Sequence, residues 1–333
     1  MADARAVALR QLYDGAQRGD AGQVQALLTV LPSECIIQID RALTAAVRND
    51  HADTVAVVVA MGLHTCLTPC TALLDCAARH GSVHVVPVLV AAKASIDGAD
   101  LVFERPLCTA AVKGQLSCIS LLAAMKAHIW VRGANGNALH EAALGGHTEV
   151  VECLLRAKAD HNQPSRLGET PVYLAAARMH EATLRMLLDA RADVNPPQPC
   201  RSPLFGAAQN QPCTTNIFHL PSVFRLLLGA RADVNATTAL DYTALSTAVA
   251  KGCPDAVVKL LLRAKADVNV VTAHGITALH FAARDGRRST AHLLVRAKAD
   301  VRATSTSGKT AETIALRNRH FELAEYLKAN AGV

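Results

Sequence analysis

The chain has 333 residues, of which 51% are hydrophobic and only 3% aromatic, and its formal net charge is +6. This length exceeds the size at which a single hydrophobic core stops growing, so it predicts several domains or a repeat array. The scarcity of aromatic residues argues against a large β-sandwich and favours close-packed helices built from Ala, Val and Leu. The charge is too small to indicate a nucleic-acid partner by itself.

The N-terminal residues and the cysteines bear on the compartment. Residues 1–5 include an acid and are not followed by an apolar h-region, so no secretory signal is predicted. The longest apolar run, residues 55–63, is too short to cross a bilayer. The 10 cysteines show no tight pairing pattern, which favours a reducing environment. We therefore expect a cytoplasmic or nuclear protein without a transmembrane segment.

A seven-residue block recurs along the chain. It reads Asn-Ala-Leu-His-Glu-Ala-Ala at 137–143 and returns as Thr-Pro-Val-Tyr-Leu-Ala-Ala at 170–176 and Thr-Ala-Leu-His-Phe-Ala-Ala at 277–283. Successive copies are 30–34 residues apart, except for one interval of 41. After a weak start near Arg10, the block begins at Arg41, Thr71, Arg105, Asn137, Thr170, Ser202, Thr243, Thr277 and Thr310. Such a period predicts a repeat array.

Each copy predicts two helices and a hairpin. The Thr, Ser or Asn that opens the block is a good N-cap, and the paired alanines that follow allow close helix packing. After a turn, a second helix carries an apolar stripe, as in residues 150–155. The sequence Ala-Lys/Arg-Ala-Asp-Val-Asn, as at 190–195, then leaves the helix for an extended hairpin, because Asp and Asn side chains set turns.

The 41-residue interval contains an insertion at about 209–221, placed between the two helices of one repeat and bracketed by Pro212 and Pro221. A partner contact and a tolerated surface insertion are equally good explanations of it. Residues 1–40 and 310–333 are rich in polar residues and are predicted capping units, with internal repeats at 41–309.

A helix, a turn, a second helix and a hairpin, with a Thr-Pro-Leu-His type of helix start at a period near 33, resemble the ankyrin repeat. The resemblance covers nearly the whole chain. It implies an all-α repeat solenoid of paired antiparallel short helices with β-hairpin loops, forming one domain of about ten units over residues 1–333. It also implies that hairpin tips and first helices bind a protein. The usual glycine after the second helix is Lys or Arg in seven successive units.

The sequence offers little for catalysis or metal binding. No nucleophile, base and orienting group stand out, so no enzyme activity, catalytic residue or cofactor is predicted. The densest group of potential ligands comprises His64, Cys66, Cys70, Cys76 and His80, which supplies half of a zinc motif. Because Cys76 occupies the small-residue position of a first helix, packing is the favoured explanation and no metal is predicted.

Seven cations share the position after the second helix and are predicted to align as a basic ladder. Acidic proteins, phospholipid headgroups or nucleic acid are possible ligands for such a ladder. The favoured explanation is instead that these cations are compensated locally. Each lies at the negative end of a helix dipole, and in five units an Asp follows two residues later. The basic ladder consists of Lys93, Lys126, Lys158, Arg191, Arg231, Lys265 and Lys298.

The favoured function is a non-enzymatic scaffold or adaptor, monomeric, that binds one or more proteins and not nucleic acid. The alternative is electrostatic binding of an anionic polymer or membrane surface through the basic ladder. Aromatic and arginine residues in hairpins are typical interface hot spots. The expected contacts are Trp130, Arg132, Arg166, Arg201, Asp241, Tyr242 and His274 in hairpins, with Glu141, Arg178 and Arg284 in first helices.

Overall fold

The computed structural model describes residues 2–31, 35–62, 69–98, 105–133, 135–197, 201–209 and 220–331. Over these residues it contains 20 α-helices, which follow one another as ten pairs. The predicted all-α repeat architecture is confirmed. The chain divides into two compact units, one up to Asp160 and one from His161 onward.

The first unit contains five helix pairs. In each pair the first helix packs on its own partner and on the first helices of neighbouring pairs, as α3 packs on α1 and α5. The helices are α1 (Ala2–Arg18), α2 (Ala21–Val30), α3 (Ile36–Arg48), α4 (Ala52–Ala60), α5 (Cys70–His80), α6 (Val85–Ala91), α7 (Pro106–Lys113), α8 (Leu116–Ala124), α9 (Ala138–Gly145) and α10 (Thr148–Arg156).

The second unit repeats the pattern, with α13 packed on α11 and α15, and α15 on α17. The predicted insertion falls between α13 and α14, as expected, and its residues 210–219 lie outside the described part of the chain. The helices are α11 (Pro171–Ala177), α12 (Glu181–Asp189), α13 (Pro203–Gln209), α14 (Leu220–Gly229), α15 (Ala244–Ala250), α16 (Asp255–Arg263), α17 (Ala278–Arg284), α18 (Arg288–Arg296), α19 (Ala311–Arg317) and α20 (Phe321–Ala331).

From α7 onward each first helix begins directly after the residue that opens the repeated block. In the first three pairs the prediction is wrong, because Arg10, Arg41 and Thr71 lie within α1, α3 and α5. Helices α3 and α5 follow Cys35 and Pro69, which make no side-chain cap bond. The Thr170 and Thr310 side chains accept hydrogen bonds from the backbone N–H groups three residues later. Asn137, Thr243 and Thr277 form capping boxes, in which the third helical side chain bonds back to the cap. These bonds satisfy donors that the first turn of a helix otherwise leaves unpaired.

Small and aliphatic side chains fill the space between neighbouring pairs. Ala142, Ala143, Leu154 and Leu261 have no exposed surface. Full burial of one leucine stabilises the fold by about 1.5–3 kcal/mol, and the alanines let neighbouring helices approach closely. The core is therefore distributed along each unit and is rebuilt at every repeat.

The hairpin loops hold few backbone bridges. Among the described residues the structure has one isolated antiparallel bridge, between Arg132 and Asn137. Elsewhere a Ser or Thr closes the loop: Thr238 N–H donates to the Tyr242 carbonyl, and the Thr238 hydroxyl accepts from the Tyr242 N–H. Neighbouring tips are joined by backbone bonds, such as Ala273 N–H to the Leu240 carbonyl.

The turn between two paired helices also contacts the preceding repeat. The Nε2 of His147 bonds to the Val112 carbonyl at 3.1 Å, and that of His320 bonds to the Arg284 carbonyl at 3.2 Å. Each histidine ring lies against a glycine in the corresponding turn of the preceding repeat: His147 against Gly114, and His320 against Gly286. The absence of a side chain at these glycines is thus required by the neighbouring repeat.

Replacing Gly286 by Ala tests this contact. Gly286 has a φ of +65°, and an added Cβ would lie 2.5 Å from the His320 ring. Gly252 is the matched control, because its φ is +77° and an added Cβ meets nothing within 4 Å. We expect Gly252→Ala to cost about 1–2 kcal/mol from the left-handed backbone alone. Gly286→Ala should cost about 1–3 kcal/mol more because of overpacking, measured by urea unfolding. Equal losses in the two variants would contradict the proposed contact.

The buried His280 predicts a pH dependence. Burial lowers the pKa of His280 below its ordinary 6.5, and its Nδ1 accepts from the Thr277 N–H. The unfolded chain takes up this proton as the pH falls through 6.5, and the folded protein resists it. We therefore expect stability to be fully present above pH 6.5 and to decline below it. In thermal melts between pH 5 and 7.5, the His280→Gln variant should lose this pH-dependent decline in stability. The His274→Gln variant, changed at an exposed histidine, should keep it.

Candidate functional site

A groove of about 730 Å³ lies along three successive repeats of the second unit. This size is within the range of sites that hold small ligands or single peptide segments. Residues from a hairpin and from the helices α13, α15 and α17 line it. The 201–284 groove is lined by Arg201, Ser202, Phe205, Gln209, Thr237, Thr238, Ala239, Leu240, Tyr242, Thr247, Ala250, Lys251, Phe281 and Arg284.

The floor of the groove is aromatic. The rings of Tyr242 and Phe281 stack with their centroids 6.1 Å apart, and Phe205 is half-buried beside the same space. Phe281 occupies the helix position that holds Glu141, Gly206 and Thr247 in other repeats. A large ring at this position next to the smaller Thr247 leaves a depression with an apolar wall.

Two arginines and a lysine supply positive charge. Arg201 lies 5.9 Å from the centroid of the Tyr173 ring and 3.0 Å from a Glu169 carboxylate oxygen. Its bond with the Tyr173 hydroxyl raises the pKa of Arg201. Arg284 lies 5.3 Å from the centroid of the Phe281 ring and bonds to Asp285.

The bond to Asp285 likewise raises the pKa of Arg284. Both guanidinium groups therefore stay charged. Lys251 is exposed and forms no ion pair with a described residue. No Asp or Glu is among the residues that line the groove, but Glu169 and Asp285 pair with the two arginines from outside it, so Lys251 is the lining cation without an acidic partner among the described residues.

Thr247 adds an unsatisfied polar group. The residue is 4% exposed, and its hydroxyl oxygen has no hydrogen-bond partner within the described part of the chain. A buried hydroxyl without a partner costs about 1–3 kcal/mol. A ligand that accepts a hydrogen bond from it would remove this cost.

The structure gathers three of the expected contact residues in the groove: Arg201, Tyr242 and Arg284. Asp241 is exposed next to Tyr242. The remaining expected residues are exposed outside the groove, with Arg166, Arg178 and His274 in the second unit and Trp130 and Arg132 in the first. Trp130 is 58% exposed in its turn.

Glu141 corrects the sequence-based expectation. It is 3% exposed, and its carboxylate accepts hydrogen bonds from the backbone and the side chain of Asn135. Because a buried carboxylate needs such partners, Glu141 holds the preceding hairpin against α9. It does not offer a surface for a partner.

Sequence reasoning missed Phe205, Leu240, Thr247, Lys251 and Phe281. A signal for two of them was present in the repeat block, where Phe205 replaces the signature His and Phe281 replaces a small or polar residue. Aromatic residues are rare in this chain, so Phe205 and Phe281, in two repeats separated by a single other repeat, were the available signal for an aromatic surface. No comparable signal distinguishes Thr247 or Lys251.

Known proteins share this architecture. A family model described as ankyrin repeats (3 copies) matches residues 107–198, 204–305 and 245–333, which is more than half of the chain. The chain belongs to the ankyrin repeat family. Ankyrin repeats are in general protein–protein interaction modules. Among the described helices, none has the length and apolar character needed to span a bilayer.

Two individual proteins illustrate the ankyrin relationship. The human ASB11 ankyrin repeat domain, a crystal structure, superposes with a TM-score of 0.57 at 26% identity, covering 66% of this chain and 97% of that domain. A putative E3 ubiquitin-protein ligase, XBAT31 of Arabidopsis thaliana, is 29% identical over 132 residues, or 35% of this chain. This chain spans only 29% of that relative's length.

The cations of the basic ladder replace the glycine usual in ankyrin repeats and keep its backbone conformation. All seven have φ between 62° and 66°. Each N–H bonds to the carbonyl three residues earlier, and the next residue's N–H bonds to the carbonyl five residues earlier, as for Lys265 and Ala266. All seven side chains are exposed, and none forms an ion pair with a described residue.

The Asp and Asn residues that follow bond to the backbone. The Asp267 carboxylate accepts from the Asn269 N–H, two residues later. The Asn235 side chain accepts from the Asp267 N–H at 2.8 Å and donates to the Lys265 carbonyl at 3.5 Å, so it links one repeat to the next. The same two bonds join Asn195 to the repeat of Arg231 and Asn269 to that of Lys298.

Two of the residues considered as metal ligands, His64 and Cys66, lie outside the described part of the chain. Cys76 Sγ is 3.7 Å from His80 Nδ1, and burial raises the pKa of the Cys76 thiol. The described residues contain no group of three or more His, Cys, Asp or Glu able to hold a metal ion.

Proposed function

We propose that this ankyrin repeat protein is a non-enzymatic scaffold or adaptor that binds a segment of a partner protein in the 201–284 groove. The groove carries the proposal, because it combines a depression of about 730 Å³ with an aromatic floor and arginines at its rim. Tyr and Arg in such surroundings are the residue types that dominate binding energy. Leu240, at a hairpin tip, adds a large hydrophobic side chain that is 54% exposed.

The hairpins supply a matched pair of variants. Leu240 and Leu167 occupy the same hairpin position in different repeats, and Leu167 is 65% exposed but does not line the groove. Leu240→Asp should weaken partner binding at least tenfold, about 1.4 kcal/mol, because it places a charge in the apolar part of the groove. Leu167→Asp should leave binding within twofold.

The measurement is affinity capture from lysate with the full chain, quantified by mass spectrometry, followed by titration with the purified partner. Melting curves check that both variants fold. Support requires a partner that is lost with Leu240→Asp and retained with Leu167→Asp. Partners that respond equally to both variants would contradict binding in the groove.

One observation favours the electrostatic alternative as a second candidate. Seven exposed cations occupy left-handed positions, where a residue with a Cβ costs about 1–2 kcal/mol and glycine does not. These cations form no ion pair with Asp193, Asp233, Asp267 or Asp300, whose carboxylates accept from backbone N–H groups two residues later. The second candidate is thus a surface of the second unit, formed by Arg191, Arg231, Lys265 and Lys298, that attracts an anionic polymer.

Glycine variants test this candidate without damaging the turns. Changing Arg191, Arg231, Lys265 and Lys298 to Gly removes four charges and relieves the left-handed strain, so the melting temperature should not fall. Retention on a heparin column at about 50 mM salt should then be lost. A control with Arg178, Lys259, Arg317 and Lys328 changed to Gln removes equal charge elsewhere. Equal loss in both variants, or no retention of the unmodified protein, would rule out the ladder as a binding surface.

A further inference from the structure

The 201–284 groove has the chemistry of a receptor for an acidic peptide. We propose that the partner segment bound there carries an Asp or Glu side chain close to a large apolar side chain. This inference rests on the proposed function and specifies the partner. Three features of the groove support this inference: its positively charged lining residues, its exposed apolar residues and the unpaired hydroxyl of Thr247.

The charges of the lining residues all have one sign. Arg201, Lys251 and Arg284 line the groove, and no Asp or Glu does. Glu169 and Asp285, which pair with the two arginines, do not line it, so the groove presents the positive groups to a ligand. A basic segment would meet three cations there, whereas an acidic one would form charge-assisted hydrogen bonds.

Arg201 keeps donors for a second carboxylate, and Arg284, whose Nε and Nη2 both bond to Asp285, keeps its Nη1. Both hydrogen bonds of Arg201, to Glu169 and to Tyr173, use its Nη1. A guanidinium has five N–H donors, so Nε and Nη2 remain for a ligand. The side chains of Arg201 and Arg284 are 44% and 50% exposed, and their ring contacts hold them at the groove.

The apolar residues set the second requirement. Phe205, Tyr242 and Phe281 form an aromatic floor, and Leu240 adds an exposed aliphatic side chain to the lining. Such a surface gains free energy only when apolar area covers it, which a purely acidic polymer does not provide. A folded or extended peptide with Leu, Phe, Tyr or Trp beside its carboxylate satisfies both requirements.

Thr247 is an independent indication of a ligand. Its hydroxyl is buried, lines the groove and donates to no described residue. A carboxylate or carbonyl oxygen of the bound segment would accept this hydrogen bond. Native structures leave few buried hydroxyls unpaired, which is why such a group in a groove points to a missing partner.

The probe is a phage library of random 12-residue peptides, selected on the full-length protein and counter-selected on Leu240→Asp. We expect the groove-dependent peptides to be net negative, with Asp or Glu within three residues of a large apolar residue. The best peptide, labelled with fluorescein, is then compared with versions that carry Gln or Lys in place of its acids.

Protein variants complete the test by fluorescence anisotropy. Arg201→Gln with Arg284→Gln should weaken the acidic peptide at least tenfold, and the control Arg166→Gln with Arg178→Gln should change its affinity less than twofold. Thr247→Val should weaken binding severalfold without lowering the melting temperature, because it removes an unpaired buried hydroxyl. The acidic peptide should also lose affinity with rising salt.

The outcomes separate the two proposals. Groove-dependent peptides that are neutral or basic, or a Gln version that binds as well as the acidic one, would overturn the acidic specificity and leave the groove as a binding site. Failure to select any peptide that distinguishes the protein from Leu240→Asp would count against both proposals. Equal weakening by the two arginine pairs would show nonspecific attraction and overturn the inference.

Discussion

Each internal helix pair of this protein has apolar surface on two sides that only a neighbouring pair can cover. Ala142 and Ala143 of α9 have no exposed surface because an adjacent first helix lies directly against them. A single pair would leave this surface in water and would not be stable alone. Stacking is therefore the condition on which the other features depend, and the caps, turns and inter-repeat bonds fix how it is achieved.

Hydrogen bonds set the register of that stacking at both ends of the helices. At one end, histidines such as His147 and His320 bond to a carbonyl of the preceding repeat. At the other end, Asn195, Asn235 and Asn269 bond to the backbone of the following repeat. With the register fixed, side chains from three repeats meet at defined places, and the 201–284 groove forms where Thr247 is followed by Phe281.

The period, and the helix starts from α7 onward, could be predicted from the sequence because they are local and repeat, whereas α3 and α5 begin before the predicted Arg41 and Thr71. Thr170, Thr243 and Thr310 cap helices where the block predicts, and the insertion falls between two helices. The groove could not be predicted in full, because its residues come from repeats more than thirty positions apart in sequence. Its shape also depends on where a small side chain in one repeat lies next to a large one in the following repeat. Glu141 shows the same limit, because a bond to Asn135 buries a residue whose pattern suggests exposure.

The Asn bridges have a consequence for how such a chain changes over generations. The groups that receive each Asn side chain are a backbone N–H and a backbone carbonyl, as at Asp267 and Lys265. Nearly every residue supplies these two groups, so the joint between repeats needs no matching side chain on the other side. At this joint, a duplicated or deleted repeat can therefore meet a new neighbour without a compensating substitution. The length of the array and the residues on its surface are thus free to diverge separately.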